Sequence, residues 1–343
     1  MTRGGTVIIP DLYSDPFGEH SAALQRERVQ LLGCRVEFES NSQELLRLVR
    51  SAYAGLPPQR LAAAMPELRI RLWLTSGKAV HRRSEPPPLA MVAGAGFLGG
   101  AAGSSSFVAV SPAQRAALVV VSPTMLRFPY HTRYELIEFA VFTLAARVQQ
   151  LVPLHAACVG RGGHGVLLMG ESGSGKSTVS LLCLLAGFEF LSEDSVFVVP
   201  DTLLATGVAN FVHVRANSLR WVAQARETAA IRTAPVIRRR SGVRKFEVDL
   251  RRRRYRLAVG PQKICSLVFL SAAAAAGQPL LRALPKSEML SRLAAAQAYA
   301  VGQPQWAKFC NSLARLESFE LRRGGHPLES VAALERLMRP GTP

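Results

Sequence analysis

The chain has 343 residues, and its 42 Lys and Arg against 24 Asp and Glu give a formal charge of +18. A hydrophobic fraction of 48% excludes a mainly disordered chain, and a charged fraction of 19% excludes a long charged coiled coil. No window reaches the roughly 18 consecutive apolar residues of a spanning helix, and residues 1–11 lack the features of a signal peptide. We therefore expect a cytoplasmic protein without a membrane span, built from about two domains.

Five cysteines are spread along the chain, without a CxxC pair: Cys34, Cys158, Cys183, Cys265 and Cys310. An odd number at wide spacing argues against a zinc site or a disulfide framework. We expect them to be buried thiols of a protein in a reducing compartment.

The positive charge is concentrated between Arg215 and Lys263, where 15 basic and 3 acidic residues give a local charge of +12. Such a field attracts polyanions, including nucleotides, nucleic acid and acidic protein surfaces. The alternative is an ordinary cationic surface, because Arg outnumbers Lys 36 to 6 in the whole chain. Nucleic acid is disfavoured as a partner, because the stretch offers only Trp221, Phe246 and Tyr255 for base stacking.

The first half of the chain contains predicted helices and strands. After about thirty irregular residues, a short strand is predicted at 36–39, and the small polar residues at 40–44 predict a capped helix start. That helix runs to about Tyr53. The strict alternation of apolar residues over 68–74 then predicts a half-buried strand.

The next segment is rich in glycine and small residues, so residues 94–106 are predicted to be a flexible loop. A strand is predicted at 118–121. A capping box from Thr132 to Glu135 is predicted to open an apolar helix that ends near Val148. Residues 1–148 are therefore predicted to form an α+β domain with a substrate-binding or regulatory role.

The sharpest motif is GESGSGKST at residues 170–178, which matches the phosphate-binding pattern G-x-x-x-x-G-K-[ST]. An apolar strand is predicted at 166–169 before it and a helix at 178–186 after it. Glycines let backbone N–H groups surround phosphate oxygens, and the helix N-terminus adds its positive end. The residues predicted to hold the nucleotide are Gly170, Ser172, Gly173, Ser174, Gly175, Lys176, Ser177 and Thr178. Lys176 would reach the β- and γ-phosphates, and Ser177 would ligate Mg²⁺.

Two adjacent acids follow this motif. A strand predicted at 188–191 leads into Glu193 and Asp194, and Asp194 lies 18 residues after Lys176. Transfer of a γ-phosphate needs carboxylates for the metal and for the attacking group, so the pair is a candidate for these roles. The alternative is a solvated turn between two strands. His155, ahead of the motif, is either a core histidine or part of the site.

His155, the GESGSGKST loop and the acidic pair together resemble the kinase domain of the HPr kinase/phosphorylase family. The resemblance implies a fold like that of phosphoenolpyruvate carboxykinase, and the use of ATP and Mg²⁺ to phosphorylate a serine of a protein. It also implies that Lys176 holds phosphate, that Ser177 and Asp194 ligate the metal, and that Glu193 occupies the position of the base.

Three features depart from that family. Glu193 stands where the founding members have Asp, the stretch tied to their phosphorylase activity is missing, and the N-terminal half does not match theirs. The clear resemblance covers residues 150–200 and points to the divergent HPr-kinase-related group. Some members of that group lie in biosynthetic clusters, and some phosphorylate the C-terminal serine of a lasso peptide precursor. HPr kinases are hexamers, but the local resemblance does not carry that state over, and a homo-oligomer stays open for this chain.

Arg215 and Lys245 are candidates to neutralise the transferring phosphoryl group or to hold an acidic substrate, and the alternative is ordinary surface cations. The remaining elements complete a second domain at residues 149–343, with strands at 264–271 and 317–321 and helices at 287–298 and 329–338.

The predicted fold is therefore α/β, with a C-terminal P-loop kinase domain of the HPr-kinase/PEP-carboxykinase-like type and a smaller N-terminal α+β domain. The predicted function is an ATP- and Mg²⁺-dependent kinase acting on a serine or threonine hydroxyl of a protein or peptide, including a ribosomal peptide precursor. Two alternatives stay open: a nucleotide-binding regulatory module without phosphotransfer, and a small-molecule kinase on the same fold.

Overall fold

The computed structural model describes residues 24–79, 84–171, 173–252 and 255–338. The predictions for residues 1–11 and for Ser172 therefore lie outside the described residues. The described segments form a mixed α/β fold with two large sheets and one small sheet. No helix among them is long and apolar enough to cross a membrane.

The first sheet contains seven strands, which in chain order are β1 Gln25–Leu31, β2 Cys34–Ser40, β3 Glu67–Leu74, β4 Leu89–Gly94, β5 Phe97–Ala102, β6 Ser106–Ser111 and β7 Ala116–Val121. Their order across the sheet is β1-β2-β3-β7-β6-β5-β4. The β2–β3 and β3–β7 pairs are parallel, and the other pairs are antiparallel. The strands predicted at 36–39, 68–74 and 118–121 are confirmed as β2, β3 and β7.

Two predictions about the strands of this half are wrong. The glycine-rich stretch at 94–106 is not a loop, because it contains β5. An added Cβ at Gly99 would lie 2.7 Å from the Val108 carbonyl oxygen, so glycine marks a close approach of the neighbouring strand. The end of the predicted irregular lead-in is also wrong, because Gln25–Leu31 is a strand that pairs with β2.

The helices of this half are α1 Gln43–Tyr53, α2 Pro123–Leu126, α3 Pro129–His131, a π-helix at Thr132–Ile137 and α4 Glu138–Val148. Ser42 caps α1 by accepting a hydrogen bond from the Leu45 N–H, within the predicted helix start. The capping box predicted at Thr132 is wrong, because its hydroxyl donates to the Met125 carbonyl. The helical stretch already begins at Pro129, whose fixed φ suits a first helical position.

Twelve further strands follow in the described part: β8 Val152–Leu154, β9 Ala157–Arg161, β10 His164–Met169, β11 Glu189–Ser192, β12 Val196–Val198, β13 Leu204–Gly207, β14 Phe211–Val214, β15 Val236–Arg238, β16 Arg244–Asp249, β17 Gln262–Ala274, β18 Leu281–Ala283 and β19 Glu317–Arg323. Nine form the second sheet, in the order β11-β9-β10-β17-β13-β12-β8, with β19 paired to β17 and β18 paired to β19. The β10–β17 and β17–β19 pairs are parallel. The small sheet has the order β14-β16-β15.

The helices of the second half are α5 Lys176–Leu185, α6 Ala225–Arg232, α7 Lys286–Ala296, α8 Ala298–Val301, α9 Trp306–Leu313 and α10 Pro327–Leu337, with 3₁₀ turns at Ala216–Trp221 and Leu250–Arg252. The helices predicted at 178–186, 287–298 and 329–338 correspond to α5, α7 and α10. Helices α5 and α10 pack together.

The hydrophobic core forms three clusters of buried apolar side chains. The cluster under the first sheet also takes in Phe197 and Val208 from the second half. Every strand of the first sheet ends before residue 122, and every strand of the second sheet begins after residue 151. The domain boundary at 148/149 stays a prediction.

The cysteines agree in part with the expectation. Cys34, Cys158 and Cys183 are buried, whereas Cys265 and Cys310 are partly exposed, and all five are free thiols. Among the described residues, no group of His, Cys, Asp and Glu is arranged to hold a metal ion by itself.

Candidate functional site

The glycine motif lies between β10 and α5, in the strand–loop–helix arrangement predicted from the sequence. Gly173 and Gly175 have φ angles of +89° and +100°, a region in which residues with side chains are strained. An added Cβ on Gly170 would lie 2.5 Å from the Ser174 hydroxyl oxygen. A glycine loop of this kind ahead of a helix N-terminus is suited to bind phosphate.

The loop forms one wall of a cavity of about 370 Å³, which we call the phosphate cavity. Its lining includes most of the predicted site residues: His155, Gly170, Gly173, Gly175, Lys176, Ser177, Thr178, Asp194, Arg215 and Lys245. Segments up to 90 residues apart in the chain therefore meet in one space. Four of the lining residues are basic, namely Lys176, Arg215, Arg239 and Lys245, against two acids, Glu171 and Asp194. This surplus of positive charge suits a polyphosphate.

Lys176, Asp194 and His155 form the centre of the phosphate cavity. The Lys176 ammonium donates to Asp194 Oδ1 at 2.8 Å and lies 3.4 Å from His155 Nε2. The other ring nitrogen of His155 lies 3.2 Å from the same carboxyl oxygen. Burial acts to raise the pKa of Asp194, but the charges of Lys176 and His155 outweigh burial and hold that pKa below its usual value. Asp194 is therefore an anion at neutral pH.

Glu193 points away from the phosphate cavity, although it is next to Asp194 in the chain. Its carboxylate accepts a hydrogen bond from the His213 backbone N–H at 2.8 Å and lies 2.9 Å from the His213 ring. The two acids lie in the bend between β11 and β12, where their side chains turn to different partners. Glu193 lines a second, larger cavity instead. Its catalytic role stays a prediction.

His213 is a site residue that the sequence analysis missed. Its ring lies between Glu193 and Glu247, and the Tyr134 hydroxyl is 3.0 Å from its Nε2. Burial acts to lower the pKa of His213, but the two carboxylates outweigh burial and raise it to about 9. His213 is therefore a cation at neutral pH. A single polar residue in the apolar strand FVHV was the available sequence signal.

Lys245 and Arg215 both line the phosphate cavity, from β16 and from the residue after β14. Lys245 is buried, and burial lowers its pKa, against the effect of Glu193. Arg215 is exposed. The structure thus places both predicted substrate residues at the loop, and their roles stay predictions.

Arg239 is a second site residue that the sequence analysis missed. Its guanidinium lies 3.8 Å from Asp194 Oδ2, and its Nε is buried with no hydrogen-bond partner among the described residues. Its two neighbours contact the first half of the chain instead, because Arg238 pairs with Glu85 and Arg240 pairs with Glu135. In the sequence, the run Arg238–Arg240 indicated only a patch of charge.

A cleft of about 280 Å³ adjoins the phosphate cavity and shares Gly173, Gly175 and Thr178 with it. Trp221 is an aromatic wall of this cleft, and the Arg220 guanidinium lies 4.6 Å from the centre of its ring. An aromatic ring next to a phosphate site suits the base of a nucleotide.

The site also fits Mg²⁺ bound together with phosphate. Ser177 and Asp194 line the same cavity and offer a hydroxyl and a carboxylate oxygen, the ligand type that Mg²⁺ prefers. Mg²⁺ usually takes few protein ligands and completes its shell with phosphate oxygens and water. Two candidate ligands beside the glycine loop agree with this preference.

Comparison with solved structures gives distant likenesses, among them one to a kinase/phosphatase. No family model matches the chain, and no curated protein matches its sequence. The structure of the HPr(Ser) kinase/phosphatase from Coxiella burnetii matches with a TM-score of 0.28 and 12% sequence identity, over 54% of this chain and 90% of that chain. This likeness is too distant to assign a function, which has to come from the residues of the site.

Proposed function

We propose that the chain is an ATP- and Mg²⁺-dependent kinase that transfers the γ-phosphate to a serine or threonine hydroxyl of a protein or peptide. The observation that carries this proposal is the ion pair between Lys176 and Asp194 beside the glycine loop. It lies in a cavity that also contains Arg215, Arg239 and Lys245. A phosphate-binding lysine, a carboxylate and further cations around one space are the parts that phosphoryl transfer uses.

The nucleotide would lie across two adjoining cavities. Its phosphates suit the glycine loop and Lys176, and its base suits the cleft beside Trp221. Lys176 would then exchange Asp194 for phosphate oxygens, which releases one oxygen of that carboxylate. Ser177 and Asp194 would hold Mg²⁺, which when bound neutralises charge on the phosphates.

Asp194 is the group proposed to receive the acceptor hydroxyl. Because it is ionised at neutral pH, it can accept a hydrogen bond from that hydroxyl and orient its oxygen. The hydroxyl oxygen then forms a bond to the γ-phosphorus, the bond from that phosphorus to the bridging oxygen of ADP breaks, and the proton passes to Asp194. Arg239, 3.8 Å away, would stabilise the negative charge of the phosphoryl oxygens.

Glu193 is proposed to fix the turn rather than to act as the base. Its carboxylate is already bound to the backbone and the ring of His213. The anchored residue holds its neighbour Asp194 toward the phosphate cavity. The family resemblance instead makes Glu193 the base, so Glu193→Gln is compared with Asp194→Asn in the transfer assay described below.

Nucleotide binding tests the first half of the proposal. Lys176→Met should weaken ATP binding in the presence of Mg²⁺ by about 10- to 100-fold, since it removes a charge-assisted contact worth roughly 1.5–3 kcal/mol. The matched control is Lys308→Met, because Lys308 is exposed and pairs with Asp201 away from the cavity. Isothermal titration calorimetry measures both. Equal affinity of the two variants would contradict the proposed phosphate site.

Phosphate transfer tests the second half. γ-Labelled ATP and Mg²⁺ are incubated with cell extract and with serine peptides, using wild type, Asp194→Asn, Glu193→Gln and the control Asp201→Asn. Asp194→Asn should slow transfer by about 10²- to 10⁴-fold, as expected for loss of an acid–base group. Transfer by Asp194→Asn at the wild-type rate refutes the role of Asp194. Label that enters only low-mass compounds supports a small-molecule kinase, and binding without any transfer supports a regulatory module.

A further inference from the structure

A large cavity of about 580 Å³ adjoins the phosphate cavity, and the proposed nucleotide does not use it. Asp194, Arg239 and Ser241 line both spaces. A molecule in the larger cavity would therefore present one end to the position proposed for the γ-phosphate. An acceptor has to lie here if Asp194 is to take the proton from its hydroxyl group during phosphate transfer.

Five aromatic rings lie among the polar and charged residues that line the larger cavity, and we call it the aromatic cavity. Its rings come from the segment that holds α3, the π-helix and α4, and from β14: Tyr130, Tyr134, Phe139, Phe142 and Phe211. The π-helix is an unusual element that often marks a functional site. Arg240 and Glu135 on this wall form an ion pair, in which Arg240 donates two hydrogen bonds of 2.6 Å to the Glu135 carboxylate. The wall thus offers flat rings for stacking.

One polar atom of the aromatic cavity lacks a hydrogen-bond partner among the described residues. Glu138 is buried, and its Oε1 has no hydrogen-bond partner among the residues that the structure describes. The nearest cation, Arg133 Nε, is 3.8 Å away, beyond hydrogen-bond distance. Buried polar atoms in proteins are nearly always hydrogen-bonded, so a donor on a bound molecule would complete this site.

A third cavity, of about 490 Å³, also has Asp194 in its lining. It is lined by apolar residues that include Met91, Leu151 and Leu154, and we call it the aliphatic cavity. The aromatic and aliphatic cavities share Phe139, Phe142, Thr143, Asp194 and Ser195. Asp194 therefore lies where the two cavities meet, an arrangement that suits an extended chain with one side chain in each cavity.

We infer that these two cavities bind the acceptor as an extended peptide, with an aromatic side chain next to the accepting serine in the aromatic cavity and an aliphatic side chain beyond it in the aliphatic cavity. This inference rests on the proposed function, since it supplies that kinase with its acceptor. The unpartnered oxygen of Glu138 favours Trp or Tyr over Phe, because their rings carry a hydrogen-bond donor.

Direct peptide binding tests the inference without any transfer. The probes are short fluorescent peptides in which Ala replaces the accepting serine and the adjacent residue is Trp, Tyr, Phe or Ala. Fluorescence anisotropy, in the absence of ATP, should show Trp and Tyr probes binding about 10-fold more tightly than the Ala probe, a difference of about 1.4 kcal/mol. The Phe probe should lie between them.

Thr143→Trp should abolish this aromatic preference, because Thr143 borders both cavities and the larger ring would fill the space between them. Thr233→Trp is the matched control, since Thr233 is exposed at the end of α6. Tyr130→Ala provides a second variant that removes a ring of the wall without adding bulk. It should reduce the preference for Trp and Tyr several-fold.

Two outcomes overturn the inference while the kinase proposal stands: equal affinity for all four probes, and an aromatic preference that survives in Thr143→Trp and Tyr130→Ala. Label that passes from ATP only into small hydroxy compounds also overturns it. Failure of wild type to bind ATP contradicts the proposed function instead. The two results can be distinguished, because peptide binding is measured in the absence of ATP.

Discussion

Replacing Glu138 by Gln should change how stability depends on pH. Burial raises the pKa of Glu138 from 4.5 to about 7, and Arg133 and His213 oppose this only in part. The folded protein therefore holds this proton more tightly than the unfolded chain, so the stabilisation is complete below pH 4.5 and is lost as the pH rises through 7. At about 1.4 kcal/mol per pKa unit, wild type should lose about 3 kcal/mol of unfolding free energy over that window. Gln does not titrate, so Glu138→Gln should not show this loss.

The assay is urea unfolding of wild type and Glu138→Gln at a series of pH values from about pH 5 to about pH 8. The difference in unfolding free energy, variant minus wild type, should rise with pH. Glu320→Gln is the control, because Arg282 and Arg292 hold the pKa of Glu320 at about 2 against the effect of burial. Its difference from wild type should stay flat above about pH 5. A flat difference for Glu138→Gln as well would refute the reasoning about this buried carboxyl.

Two further predictions concern the residues that surround Asp194. Arg239→Ala should lower kcat for phosphate transfer by about 10²- to 10³-fold with little change in ATP affinity, as expected for loss of one transition-state contact. Steady-state kinetics checks this, and an equal loss in Arg238→Ala, the outward neighbour, would contradict it. Gly207→Ala should destabilise the fold by about 1–3 kcal/mol, because the added Cβ would lie 2.8 Å from Ser192 Cβ at the start of the acidic turn. Urea unfolding measures this cost, and an unchanged midpoint would show that the turn can shift freely.

The elements around the glycine motif could be predicted because their signals are local. A short apolar run, a glycine loop and a helical run each occupy fewer than a dozen consecutive residues of the chain. The strands around Gly99 could not be predicted in this way. Glycine has the same composition signal in a flexible loop and in a strand that its neighbour approaches closely, and only the Val108 carbonyl at 2.7 Å distinguishes the two cases.

The phosphate cavity could be predicted in part for the same reason. Lys176 and Asp194 belong to one strand–loop–helix–strand unit, so their meeting follows from local structure. His213 and Arg239 join the site through β14 and the β15–β16 turn, and no sequence spacing indicates that these segments pack beside the acidic turn. The direction in which the Glu193 side chain points could not be predicted either, because its partner His213 lies 20 residues away in the chain.

The buried charges behind Asp194 form one connected set that reaches the first half of the chain. His213 links Glu193 to Glu247, and Arg133 of the π-helix binds Glu247 and approaches Glu138. Burying ions gains little stability over apolar packing, and removing one partner leaves another charge unpaired at a cost of roughly 3–5 kcal/mol. These buried charges are therefore better explained by a role in positioning the segments that carry them than by a gain in the stability of the fold. It connects the turn that carries Asp194, the proposed catalytic carboxylate, to the helix that lines the aromatic cavity, and so helps to position the two proposed substrate sites relative to each other.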